Sequence, residues 1–447
     1  MPRNDNLMAG VSGVRGIVGP GMNPETAVRF TAAFASRLGG GTVVVGRDTR
    51  PSGPALASAV FSALRFMGCA AVDLGVASTP TVEIMVDELG ADGGIIITAS
   101  HNGIEWNALK FLDRRGEFLS AAEMDELIAA SSRGAAFGVP GSFGGFAAND
   151  AGDAVHIARI LGLDRIDRER IAGRAFKAVV DCVNGAGSLI VPALLRRLGV
   201  ETVELHTSVG EPFPHEPEPR PANLGDLSRA VASERADIGF ACDPDADRLA
   251  LVDGTGAICS EELTLAVAAD FVLAREKGPL VANLSTSRVI DDIGARHGVP
   301  VFRAKVGEAN VIALMKEKRA AIGGEGNGGV IYPRIHYGRD AMLGMALTLQ
   351  SLAEEGVSLA EKVASFPRYF IVKDKFAFAG DFEKVGKAAQ KRFAGDVRAD
   401  DGIRIDMPEG WVHLRRSNTE PVVRVIAEAA SVEEAERLAK EAGEILL

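Results

Sequence analysis

Four short polar segments hold the residues best able to do chemistry. In IITASHNGIEWNALKF, residues 96–111, an apolar strand delivers Thr98, Ala99, Ser100, His101 and Asn102 into a polar loop. Ser100 can act as a nucleophile, with His101 orienting it and Lys110 supplying positive charge or an exchangeable proton. A serine hydroxyl attacks phosphorus poorly unless geometry, a base and charge stabilisation assist it. Taken alone, the segment also fits a turn capped by Ser100 and Asn102. In ACDPDADRLALVD, which begins at Ala241, Asp243, Asp245 and Asp247 alternate and Arg248 follows. Pro244 argues against a regular central strand, and a loop can turn all three carboxylates toward one centre. Three anions brought together need a cation or a proton. Hard oxygen ligands beside a phosphate favour Mg²⁺. The apolar flanks place these charges at the end of a buried strand rather than in a solvated acidic turn.

The third segment, GGEGNGGV at residues 323–330, surrounds Glu325 and Asn327 with glycines that permit close backbone approach. A carboxylate and an amide there suit sugar hydroxyls, although an ordinary glycine-rich loop has the same composition. The fourth, LRRSNTEPVVRV from Leu414, supplies Arg415, Arg416, Ser417, Asn418, Thr419 and Arg424. Guanidinium forks and a tight turn match phosphate oxygens; a solvated hairpin is the plainer alternative. Smaller pieces fit the same chemistry. Arg15, in VSGVRGIVG with Ser12 and Gly16, adds a cation, and Lys305 follows a strand close to Glu308. Pro214, His215 and Glu216 lie in a proline-rich loop whose role stays open between scaffold and site.

The elements that must position these groups alternate short β-branched runs with alanine-rich helical patterns, which favours α/β units. Strands are predicted at Thr42–Gly46, Gly94–Thr98, Lys177–Cys182, Leu280–Leu284, Pro300–Arg303 and Ala320–Gly323. Helices are predicted at Pro54–Met67 and Ala121–Ser131. A glycine-rich stretch at Gly134–Gly152 reads as a loop, either insertion or linker. From about Phe366 the texture becomes α+β. Strands are predicted at Tyr369–Lys375, Val397–Met407, Trp411–Arg415 and Val422–Glu428, and helices at Asp381–Phe393 and Val432–Ile445. The expected domains are 1–150, 151–255, 256–366 and 367–447.

With 447 residues the chain has room for several cores. Its 49 basic and 60 acidic side chains give a net charge of −11, which argues against a nonspecific nucleic-acid surface. The four cysteines match no metal or redox spacing, as expected for buried reduced thiols. The apolar pattern from Leu263 is broken by Asp270 and too short to span a bilayer, and the N-terminal residues lack an apolar signal segment. A soluble cytoplasmic protein is expected, as monomer or homodimer, with no membrane partner.

In order along the chain, SGVRG, TASHN, DPDADR, GEGNGG and RSNTEP resemble the α-D-phosphohexomutase family. The resemblance implies three related α/β domains and a smaller C-terminal α+β domain around a deep active-site cleft. By it, residues 1–150 carry the phosphoserine, 151–255 the metal, 256–366 sugar recognition and 367–447 phosphate binding. Ser100 would be the phosphoserine carrier and, with Asp243, Asp245 and Asp247, a ligand of Mg²⁺. His101, Lys110, Arg15 and Arg248 would complete the catalytic set. Lys305, Glu325, Asn327, Arg415, Ser417, Asn418, Thr419 and Arg424 would bind a phosphosugar, with a hexose 1,6-bisphosphate as intermediate and activator. Three positions depart from many relatives: Gly103 in place of proline, Asn327-Gly-Gly in place of Ser-Gly-His, and Asn418 in place of glycine. The latter two resemble archaeal-type members, including phosphoglucosamine mutases, so glucosamine phosphate is the favoured substrate. Mannose and glucose phosphates follow, and a metal-dependent sugar phosphatase or a noncatalytic phosphosugar-binding protein is the alternative class.

Overall fold

A computed structural model describes residues 6–134, 137–138, 141–378, 380–416 and 422–446. The chain divides into two compact units, one of residues 1–271 with 327–362 and one of 272–326 with 363–447.

The first unit contains two sheets. In the larger, the strand order is Leu7–Gly10, Gly13–Ile17, Trp106–Leu112, Gly93–Ile97, Thr42–Arg47, Ala70–Val76 and Phe146–Ala148. The first three pairings, from Leu7–Gly10 up to Gly93–Ile97, are antiparallel, and the other three are parallel. Gly93–Ile97 is buried at every position, as a strand covered on both faces must be. Its side chains alternate accordingly. Ile95 and Ile97 pack with Val43 and Val45 in one core, while Ile96 and Val44 join the other. Helices Pro24–Leu38, Gly53–Phe66 and Ala121–Ser131 cover the first face, and Thr79–Glu88 covers the second.

Local chemistry sets these helix boundaries. Asn23 caps Thr26 N ahead of Pro24, and Gly39 closes the helix with φ 71°. Ser120 and Glu123 form a reciprocal capping box. The smaller sheet has the order Leu249–Asp253, Ile238–Cys242, Lys177–Asp181 and Glu201–Leu205, antiparallel only at its first pair.

The second unit begins with Val301–Ala304, Leu280–Asn283 and Ile322–Glu325 paired in parallel. Its C-terminal part is a five-stranded antiparallel sheet in the order Phe370–Ala377, Val422–Ala429, Gly410–Arg416, Ile403–Asp406 and Asp396–Arg398. Helices Phe382–Arg392 and Val432–Glu444 bury one face of that sheet around Val412, Leu414, Val423 and Val425.

Two expectations are corrected. Val397–Met407 is not one strand but two, separated by a turn in which Gly402 takes φ 74°. The glycine-rich Gly134–Gly152 stretch is not wholly loop, since Phe146–Ala148 adds an edge strand to Ala70–Val76. Phe137 and Phe143 stack against Phe66, and Phe146 against Phe61, so aromatic anchors fix a segment with little hydrophobic periodicity. All four cysteines are free and buried. Among the described residues, no helix is long and apolar enough to cross a membrane.

Gly402 combines a positive φ with a close approach, because an added Cβ would sit 2.3 Å from the Leu414 carbonyl oxygen. Gly402→Ala is expected to destabilise the sheet by about 1–2 kcal/mol through its left-handed backbone alone. The readout is the urea midpoint followed by fluorescence of buried Trp411; an unchanged midpoint would show that the turn relaxes freely.

Candidate active site

Buried strand Gly93–Ile97 ends by placing Ser100 in the left-handed region, at φ 50°. That conformation costs a residue with a Cβ about 1–2 kcal/mol. Its neighbours hold it there. Ser100 N donates to Thr98 Oγ1 at 3.0 Å, and Thr98 Oγ1 donates to Asp48 Oδ2 at 2.7 Å. Arg50, fully buried beside Asp48, donates from one terminal nitrogen to the Ser100 and Asn102 carbonyls, each at 2.6 Å. Hydrogen bonds from a charged donor contribute about 1.5–3 kcal/mol each, enough to offset the strain. Phe213 lies against the Arg50 guanidinium at 5.0 Å.

Ser100 Oγ donates to Asp243 Oδ2 at 2.9 Å and lies 3.3 Å from His101 Nδ1. Asp243 opens the loop between strands Ile238–Cys242 and Leu249–Asp253, where Ala246 takes φ 53°. This turn aims Asp243, Asp245 and Asp247 at one point, with one oxygen of each within 4.8 Å of the others. All three are wholly buried.

Cations surround them. Lys110 Nζ donates to Asp245 Oδ2 at 2.7 Å and lies 3.9 Å from Asp247 Oδ2. Arg339 donates to Asp247 Oδ2 at 2.5 Å. Arg248 Nε lies 4.0 Å from Asp243 and 3.8 Å from Asp247, while its NH1 pairs with Glu218 at 3.2 Å. Thr79 Oγ1 also donates to Asp245 Oδ2, at 2.7 Å. Arg15, from strand Gly13–Ile17, donates to Asn102 Oδ1.

These contacts divide the triad unequally. Burial, then the charges of Asp247 and Asp245, push the Asp243 carboxyl far above its usual range. Burial pushes Asp245 the same way, but Lys110 and Thr79 overcome it and hold Asp245 below that range. Lys110 is raised despite its burial, because Asp245 and Asp247 favour its charged form. Burial, then Arg248 and Arg15, lower His101 far below the ordinary histidine value, so its ring is neutral at pH 7. Burial likewise lowers Arg15 to about 10.

The donor set fits a hard divalent cation. Asp245 Oδ1 and Asp247 Oδ1 are buried without a hydrogen-bond partner, and the convergent donors are carboxylate oxygens, as Mg²⁺ prefers. Two added positive charges would also offset the burial and mutual repulsion that push Asp243 toward its neutral form.

The remaining predicted residues divide between the units. Asn327 belongs to the first, where its Oδ1 accepts from Gly329 N at 3.3 Å and shapes the turn. Gly328 there takes φ 89°, and its carbonyl accepts from Leu249 N. In the second unit, buried Glu325 accepts from Asn283 Nδ2 at 2.8 Å and Gly307 N at 3.0 Å. Lys305 is exposed at the end of its strand. Arg415 Nε binds both oxygens of Asp401 at 2.9 Å, and Val306 N binds Asp401 at 2.8 Å. Residues 306–307 thus link Glu325, through Asp401, to Arg415.

Arg424 is exposed and directly opposite Arg415 on one side and Lys375 on the other, so three cations form a row across one sheet face. Ser417, Asn418 and Thr419 lie outside the described residues. Sequence reasoning missed Asp48, Arg50, Thr79, Phe213, Glu218, Arg339, Lys375 and Asp401. For Asp48 and Arg50 a signal existed: a charged pair within five residues of the apolar run Val43–Val45, a context like that of the aspartate loop.

Behind Arg339 lies a second buried network. His156 Nε2 is 2.8 Å from Asp340 Oδ2, and His336 sits between Asp340 at 3.4 Å and Glu83 at 3.1 Å. Burial alone would lower His336, but the hydrogen bonds and charges of Asp340 and Glu83 raise it to about 9. A raised pKa contributes stability that is complete below the ordinary histidine value and lost as pH climbs through about 9. From 6.5 to about 9, at ~1.4 kcal/mol per unit, the contribution is at most about 3.5 kcal/mol. The urea midpoint is therefore expected to fall between pH 7 and about pH 9.5, and to fall less in His336→Asn. Parallel pH profiles for the two proteins would remove His336 from this role.

Comparison with known proteins agrees with the order of elements. Residues 6–136, 154–256 and 260–369 match the models described as phosphoglucomutase/phosphomannomutase alpha/beta/alpha domains I, II and III. Residues 369–444 match that family's C-terminal domain. A Methanopyrus kandleri protein named "Probable phosphoglucosamine mutase" is 38% identical, over 97% of this chain and 96% of its own. A Thermococcus kodakarensis protein named "Phosphoglucomutase/phosphomannomutase" is 37% identical, over 95% of each. Among solved structures, a Burkholderia thailandensis phosphoglucomutase/phosphomannomutase family protein superposes with a TM-score of 0.86 at 28% identity, covering 98% of this chain and 96% of that one. With its four domains matched in order, the chain belongs to the phosphoglucomutase/phosphomannomutase family and is an enzyme of the α-D-phosphohexomutase superfamily.

Proposed function

We propose that this enzyme interconverts hexose 6-phosphate and hexose 1-phosphate through phosphorylated Ser100 and a hexose 1,6-bisphosphate. The observation that carries the reading is the Ser100 hydroxyl on Asp243, at the edge of three buried carboxylates that fit Mg²⁺. When bound, Mg²⁺ would neutralise the triad and polarise the phosphoryl group.

The chain's own residues do the rest. Arg50 and Thr98 hold Ser100 so that Oγ faces the triad. Lys110, charged between Asp245 and Asp247, supplies fixed positive potential to the transferring group. The sugar hydroxyl forms its bond to phosphorus as the Ser100 Oγ–P bond breaks. The hydroxyl proton leaves toward a base, a role we assign to neutral His101, whose Nδ1 lies 3.3 Å from Oγ. In the second half-reaction the other phosphate returns to Ser100, so the bisphosphate must bind in two orientations.

We assign Arg15 and Arg248 to the reacting phosphate and Glu325 and Asn327 to the sugar. Lys305, Arg415 and Arg424, with Ser417, Asn418 and Thr419, go to the phosphate at rest. The row of Lys375, Arg424 and Arg415 supports that last assignment. Glucosamine phosphate is the favoured sugar, resting on the GEGNGG resemblance and on Asn327, whose amide both donates and accepts. Broad phosphomannomutase and phosphoglucomutase activity is the second choice, and the names of similar proteins include both kinds.

One assay tests both levels. Glucosamine, mannose and glucose 1-phosphates are incubated separately with Mg²⁺ and trace 1,6-bisphosphate, and products are quantified. The 6-phosphate is expected from all that react, with glucosamine ahead in kcat/KM by at least tenfold, or ~1.4 kcal/mol. Free phosphate as the main product would reject the mutase. A tenfold lead for glucose or mannose would reject only the sugar.

A further inference from the structure

A second group of metal-ligating side chains lies in the smaller sheet, and the phosphotransfer chemistry does not use it. Strands Lys177–Asp181 and Glu201–Leu205 run parallel with Asp181 opposite Leu205, which brings His206 beside Asp181 at the sheet's end. His215 arrives from the proline-rich loop. Asp181 Oδ2 is 3.0 Å from His206 Nδ1 and 3.1 Å from His215 Nε2, and the three atoms lie within 4.8 Å of one another. Asp181 Oδ1 is fixed by Val183 N at 2.9 Å. The Asp181 side chain is buried, while each histidine keeps 19% of its side chain exposed, leaving an approach from solvent.

Proton bookkeeping shows what this arrangement lacks. His215 Nδ1 lies 2.8 Å from the Glu216 carbonyl oxygen, to which it can only donate. A neutral ring then has a lone pair on Nε2, aimed at a carboxylate oxygen. Either a second proton or a metal ion must stand between them. A ring N–H on a backbone carbonyl is the usual support for a metal-bound histidine. Metal–ligand bonds of about 2.0–2.1 Å bring neighbouring ligand atoms to roughly the separations seen here. The backbone also favours a built feature, since Val183, Asn184 and His206 all take positive φ without being glycine.

The geometry points to Asp181, His206 and His215 as a second divalent-metal site, separate from the aspartate triad. Two imidazoles and one carboxylate select a transition metal of the Zn²⁺ or Co²⁺ type over Mg²⁺. Its place gives it a task. The loop carrying His215 is tied to Asn184 through Pro212 O and Ser208 N, and it supplies Phe213 to Arg50 and Glu218 to Arg248. The ion fastens this loop over the residues that hold Ser100 and flank the triad. The inference is independent of the phosphosugar reading, because it concerns metal binding alone.

The test is a Co²⁺ titration of chelator-stripped protein in excess Mg²⁺, which occupies hard oxygen sites, followed by visible absorption and equilibrium dialysis. One equivalent of Co²⁺ is expected, displaced by Zn²⁺, and binding at least tenfold weaker in His206→Gln and His215→Gln. No Co²⁺ binding, or binding unchanged in both variants, overturns the proposal. If either variant fails to fold, wild-type protein serves: Zn²⁺ in excess Mg²⁺ should slow diethyl pyrocarbonate modification of His206 and His215, mapped by peptide mass spectrometry. Equal modification with and without Zn²⁺ likewise overturns it.

Discussion

Three carboxylates buried within one turn of chain are the constraint around which the first unit is arranged. Asp243, Asp245 and Asp247 are shielded from bulk solvent, and isolated buried anions are costly enough to protonate instead. Lys110 and Arg339 reach the triad from distant parts of the sequence, and Arg248 from the position just after Asp247. Burial and the neighbouring carboxylates still push Asp243 toward its neutral form. The protein's own cations therefore fall short of full compensation. That deficit makes a divalent cation the natural complement, and it sets the serine hydroxyl where a phosphoryl group would meet both.

The nucleophile is held with comparable care. A left-handed Ser100 persists because Thr98, Asp48 and Arg50 engage the backbone on both sides of it. Arg50 in turn rests on Phe213, from the same loop that carries Glu218 to Arg248. Side chains that never touch the reacting atoms thus determine the direction of Oγ. Replacing Arg50 by lysine would keep the charge and lose the geometry, since an ammonium lacks the planar fork.

Much of this was legible in the chain. Alternating apolar runs and alanine-rich helices disclosed the α/β layers, and buried apolar flanks disclosed that the aspartate loop was no surface turn. Val397–Met407 misled because Gly402 was read as part of a strand rather than as its breaking point. Phe137, Phe143 and Phe146 anchor the glycine-rich stretch through tertiary contacts, which no local period reports. Arg339 and Glu218 were missed for a related reason: each is 30 or more positions from its partner, and nothing in its neighbours' types distinguishes it from a solvated charge. His215 was visible as a residue, but its meaning depended on Asp181 and His206 arriving from separate strands.

The central claim is that Ser100 carries the phosphoryl group. Protein incubated with a hexose 1,6-bisphosphate and Mg²⁺, then analysed by intact mass and peptide mapping, gives the most direct test. One added phosphate on the peptide containing Ser100 is predicted, and none on a folded Ser100→Ala variant. An unmodified wild-type protein, or phosphate on any other residue, would contradict the account.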